Sequence, residues 1–176
     1  MQFADLQKTK NSIVLGKVIF EAVPGNFKEV IVIFIEDATE KAYPVKMTQA
    51  IERFGQDPKK RQLSYYYFIQ LPEGAYHLQQ VIGVHEKFEA LENYLLNANL
   101  TIPKNSIRYI GTVHLKAIGP VMTMIGPILE SEIIDDHQDV IKVFKEQYPQ
   151  FKDHNIESQV IDRYEYFKKG GIGGEF

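Results

Sequence analysis

The sequence predicts a mainly β fold: an antiparallel β-sandwich of about seven to eight strands, with a C-terminal helical segment covering one sheet. Three observations carry that prediction. Short runs rich in β-branched and aromatic residues recur from Ser12 to Ile118. The turn Leu71-Pro72-Glu73-Gly74 joins two of them as a hairpin, with Pro presetting φ and Gly supplying a left-handed position. Helical periodicity follows the strands instead of alternating with them, which argues against βαβ units.

Taken in order, a polar leader (residues 1–11) precedes Ser12 to Glu21, a strand with Ile13, Leu15 and Ile19 on one face and Val14, Val18 and Phe20 on the other. Pro24-Gly25-Asn26 is a turn. Glu29 to Glu36 encloses six consecutive apolar residues, which predicts a central strand buried on both faces. A sandwich leaves its outer faces wet, so that run requires a cover, and the C-terminal helix is expected to supply it. Asp37 to Leu63 reads as a long connection with one or two helical turns around Thr48 to Phe54. Ser64 to Leu71 and Ala75 to His85 form the hairpin.

Phe88, Leu91, Tyr94 and Leu95 recur at helical spacing before Leu96, Ala98, Leu100 and Ile102 alternate as a strand. Ile107 to Ile118 places Ile107, Tyr109, Val113 and Leu115 on one face and Arg108, Thr112, His114 and Lys116 on a wet one. Gly119-Pro120 and Gly126-Pro127 bracket the apolar Val121-Met122-Thr123-Met124-Ile125. Asp136 can cap a helix running to about Tyr148, with Val140, Phe144 and Tyr148 as its stripe and Pro149 as its stop. Ile156 to Phe167 suits either a helix or a strand, with the balance toward helix. The resulting organisation is a sandwich over residues 12–134, a helical segment packed on it over 135–168, and a tail over 169–176.

Composition narrows the functional classes. Twenty basic against 23 acidic residues give a formal charge of −3, without the positive surface a nucleic-acid partner requires. The absence of Cys removes thiol nucleophiles, disulfides and Cys-based metal centres. No apolar run reaches the ~18 residues of a membrane span, so the chain reads as a soluble domain. No nucleophile elbow, phosphate loop or dinucleotide fingerprint occurs, and no cofactor is expected.

Tyr67 to Leu78 (Tyr-Phe-Ile-Gln-Leu-Pro-Glu-Gly-Ala-Tyr-His-Leu) resembles the Leu-Pro-x-Gly-x-Tyr-x-Leu strand pair of transthyretin-like and carboxypeptidase-regulatory-like sandwiches. Leu100-Thr101-Ile102-Pro103 with Ile107-Arg108-Tyr109-Ile110-Gly111-Thr112-Val113 resembles a hairpin of bacterial cell-envelope proteins and lipoproteins that use this sandwich, with Lys104-Asn105 in place of the usual Gly. The resemblance spans roughly Val14 to Ile118. It implies a prealbumin-like, non-enzymatic interaction or structural module with a protein partner. It also implies the cell envelope or periplasm if a signal precedes the chain, and the cytoplasm otherwise. Peripheral membrane association would then depend on a lipid anchor upstream, since the chain has no Cys.

Candidate chemistry is sparse. The five histidines are scattered, and His85-Glu86-Lys87-Phe88-Glu89 lacks the second histidine of a zinc helix. His77 and His114 could form a two-His metal pair if neighbouring strands aimed them the same way, the alternative being a small-molecule or metal-dependent protein. Tyr66, within Tyr65-Tyr66-Tyr67, and the stretch containing Val121, Met122, Met124 and Ile125 are the interaction candidates, because exposed apolar surface marks docking sites.

Overall fold

The computed structural model describes residues 11–23, 25–54, 61–86, 91–118 and 128–161, and two sheets pack face to face within them. The strands are β1 (Ser12–Glu21), β2 (Phe27–Glu36), β3 (Ala42–Met47), β4 (Ile51–Phe54), β5 (Arg61–Leu71), β6 (Gly74–His85), β7 (Leu91–Ile102), β8 (Ile107–Ile118), β9 (Ile128–Ile134) and β10 (Glu157–Ser158). One sheet runs β3-β2-β6-β7 and is antiparallel throughout. The other runs β10-β8-β1-β5-β4, with β9 also on β8. The mainly β sandwich with a C-terminal helix is therefore the architecture.

The strand nearest the N-terminus becomes the centre of the six-stranded sheet. β1 pairs antiparallel with β5 and parallel with β8, and all ten of its residues are buried. Val14, Val18 and Phe20 face the core between the sheets, where Val30, Val32 and Phe34 of β2 meet Tyr65 and Tyr67 of β5 and Tyr76 and Leu78 of β6. Ile13 and Leu15 face outward into a second, smaller core with Phe68, Ile107 and Tyr109. Helix α1 (His137–Gln147) closes that core with Val140 and Phe144, the Phe144 ring meeting Phe68 edge-on at 5.2 Å. Burying such side chains stabilises the fold by about 1.5–3 kcal/mol each.

This placement reverses one expectation. The helix covers the outer face of β1, β5 and β8, not the sheet containing Val30 to Ile35. The doubly buried strand is β1, and β2 buries only one face, with Ile31, Ile33 and Ile35 half-buried on the outside. A six-residue apolar run meets the preference of β-branched side chains for a pleated surface, and that preference does not require a cover.

Four further expectations change. Leu71-Pro72-Glu73-Gly74 does not close a hairpin: β5 pairs with β1 and β4 while β6 pairs with β2 and β7, so the turn carries the chain from one sheet to the other, and the left-handed glycines of the described residues are Gly25 and Gly111, not Gly74. Thr48 to Phe54 has no helical turn: the Asp37 to Leu63 connection contains β3 and β4. Leu91, Tyr94 and Leu95 belong to β7, where pairing with β6 overrides their helical spacing. In β8 a bulge at Gly111, whose φ of 122° only glycine adopts readily, sets two residues (Ile110 and Gly111) against one of β1 (Gly16), between the pairs Leu15–Tyr109 and Lys17–Thr112. Ile107 and Tyr109 consequently face the helix while Val113 and Leu115 face the main core, and Thr112 of the expected wet face is buried.

The outer edge of β8 is used twice. β9 pairs antiparallel with Thr112 to Ile118, and β10 pairs parallel with Arg108 and Tyr109. Backbone bonds from Gln159 N–H to Tyr109 and from Ile161 N–H to Ile110 extend that parallel ladder, so the described part of the Ile156 to Phe167 segment is extended, not helical.

Candidate functional site

Two surfaces concentrate the polar and apolar features that could act: the outer face of the six-stranded sheet beside α1, and the outer face of β3-β2-β6-β7. On the first, Lys17 projects outward from the middle of β1 and is 2% exposed. Its ammonium donates to Asp136 Oδ2 and Asp139 Oδ2, each at 2.7 Å. Asp136 occupies the N-cap position but makes no side-chain capping bond, because its carboxylate is turned to Lys17. Its backbone N–H instead donates to the Tyr109 hydroxyl at 2.8 Å, which lies 3.0 Å from Thr112 Oγ1. Tyr66 sits beneath the same helix start, donates to Asp139 at 2.5 Å and places its ring 5.1 Å from the Lys17 ammonium.

Burial alone would pull Lys17 down, but the hydrogen bonds it donates to both aspartates outweigh that and hold the amine above its ordinary value. A lysine that keeps its proton against two carboxylates is neither a nucleophile nor a base. The cluster is a clamp that anchors α1, and Tyr66 is part of it.

Farther along the same face, Glu21 of β1 accepts from Gln62 at 2.7 Å, with His114 Nε2 at 3.2 Å. His114 Nδ1 faces Glu132 of β9 at 2.9 Å. Burial raises Glu21, yet the Gln62 bond and the nearby imidazole more than offset it and leave the carboxyl below its ordinary value. His77 lies on β6 in the other sheet, 2.8 Å from Asp37. The two histidines therefore stand on opposite outer faces of the sandwich and form no pair. Among the described residues no group of three His, Asp or Glu side chains is arranged to hold a metal. Val121, Met122, Met124 and Ile125 lie outside the described residues.

The sequence alone does not mark the second surface as a site. Its outward positions form a grid set by strand register: Lys46, Ile31 and Ile82 in one row; Pro44, Ile33, Gln80 and Leu95 in the next; Ala42, Ile35, His77 and Asn99 in the third. Ile31, Ile33, Ile35 and Ile82 are half-buried, and Leu95 is 62% exposed. Charge is confined to the ends, where Lys46 meets Glu29 at 3.0 Å and His77 meets Asp37. An apolar centre with a polar rim is the anatomy of a protein interface. The six-residue apolar run was the visible signal, but it reads equally as double burial. Neither the protein-family models nor the curated proteins contain a match to this chain.

Proposed function

We propose that the chain is a non-enzymatic protein-interaction module, of the kind that transthyretin-like sandwiches provide in bacterial cell envelopes, and that it works through the outer face of β3-β2-β6-β7. The observation that carries this reading is the line of Ile31, Ile33 and Ile35 along β2, left half-exposed beside Ile82 and Leu95. Contiguous apolar surface of this kind on a folded domain marks a docking site. The ionisable clusters on the opposite face support the same reading, since their charges are spent on anchoring α1 and β9.

A photo-reactive aromatic residue placed at Ile33 tests it. Irradiation in the cells that produce the protein should give discrete adducts, whereas the same residue at the exposed Glu146 of α1 should give none. Failure to form adducts at Ile33, or an identical pattern at Glu146, would remove the proposal.

A further inference from the structure

Building on that reading, we infer that the partner of this face is a second copy of the chain, packed sheet on sheet about a two-fold axis. Size is the first argument. Four strands at ~4.8 Å spacing and some eight residues at ~3.3 Å each offer roughly 500 Å² per copy. The pair would bury about 1,000 Å², the lower limit for a specific but reversible interface.

Register supplies the second argument. A two-fold axis lying between the facing sheets, parallel to the strands and midway between β2 and β6, lays β2 over the other copy's β6 and β3 over its β7. Within the rows fixed by strand pairing, Ile31 then covers Ile82 of the second copy, Ile33 covers Gln80, Ile35 covers His77, and Pro44 covers Leu95. The most exposed large apolar side chain on the described surface thus lands on a proline.

Charge is the third. Lys46 and His77 stand in different rows, and each already has a carboxylate in its own chain, Glu29 and Asp37. The two-fold therefore brings neither over its own kind, and no ion pair need be broken to form the contact. Aligned packing of two twisted sheets, ~10 Å apart and offset by about 30°, is the ordinary geometry for such faces.

Sedimentation velocity over about 1–200 µM chain provides the test, matched to the roughly micromolar affinity expected of so small an interface. The wild-type protein should shift from monomer to dimer across that range. Leu95→Glu and Ile33→Glu should remain monomeric throughout, while Ile51→Glu, at an exposed apolar position on the other sheet, should associate like wild type. Leu95 lies mostly in solvent, so its substitution leaves folding intact, which an unchanged thermal melt would verify. A wild-type monomer at every concentration, or a dimer indifferent to both face variants, overturns the inference. If the wild type stays monomeric yet Ile33 still crosslinks to a different protein or the chain floats with phospholipid vesicles, the second copy is excluded. The crosslinking outcome leaves the interaction-module reading standing; loss of both dimer and adducts removes the two together.

Discussion

Lys17 shows how one side chain can conceal a strand's environment. A lysine in Val14-Leu15-Gly16-Lys17-Val18-Ile19 suggests a wet face, yet its charge is met by two aspartates 119 and 122 residues away in sequence. Lys17→Met should destabilise the protein by about 2–3 kcal/mol in urea titrations, somewhat less than a fully buried pair because both aspartates keep partial contact with water. A raised lysine stabilises the fold fully below its ordinary value of 10.5 and loses that contribution as pH rises through the folded value. The wild-type alkaline limb should therefore be steeper than that of Lys17→Met. Glu21 has the opposite sign: its contribution is present above the ordinary value of 4.5 and is lost as pH falls through the lowered folded one. Glu21→Gln should flatten the acid limb in the same measurement. Tyr67 is a further case, because its buried hydroxyl finds no hydrogen-bond partner among the described residues and burial pushes its ionisation far upward. Tyr67→Phe should raise stability by about 1 kcal/mol, since it removes a desolvated polar group without removing the ring. Gly16→Ala should do the reverse, as a Cβ there would stand 2.2 Å from the Tyr67 ring and hydroxyl.

Helix α1 and the two-residue strand β10 are the lightly held elements, and each can be loosened separately. Phe144→Ala removes the ring that joins Phe68, Tyr148 and Phe151, and should cost about 3–5 kcal/mol. Hydrogen exchange should then rise in residues 137–147 before it rises in the β2–β6 ladder, because the helix closes a core distinct from the one between the sheets. Beside its backbone ladder, β10 is tied to β8 by Arg108, whose guanidinium donates to Gln159 and makes an ion pair with Glu157 at 2.5 Å. At the element scale the two strands flanking Pro72 and Gly74 were the most legible feature, although local turn signals could not show that the turn links one sheet to the other instead of pairing the strands it joins. The bulge at Gly111 was not legible, because a glycine within a strand marks a bulge only once its partner strand is known.

At the scale of the molecule, the joining of β1 to β8 sets the folding problem. Ile13 pairs with Ile107 and Glu21 with Lys116, so the central parallel ladder closes only after more than half the chain is placed. Parallel, non-local pairing of this kind predicts refolding on a timescale of milliseconds to seconds, which stopped-flow fluorescence of the tyrosines would read. The arrangement also divides labour between the two outer faces. One is sealed by α1 through Lys17, Asp136 and Asp139; the other presents the isoleucines of β2.

The sequence by itself determined the strand-rich class, the two strands either side of Pro72 to Gly74, the helix ending before Pro149 and the absence of thiol chemistry. Each of these follows from local covalent preference or composition. Tertiary structure alone decided which sheet the helix covers, which strand is buried on both faces, and that His77 and His114 stand apart. The physical reason is common to all three. The period of two within a strand assigns side chains to alternate faces, but what each face meets is set by partners distant in sequence. A buried lysine and an exposed isoleucine can be told apart only when those partners are in place.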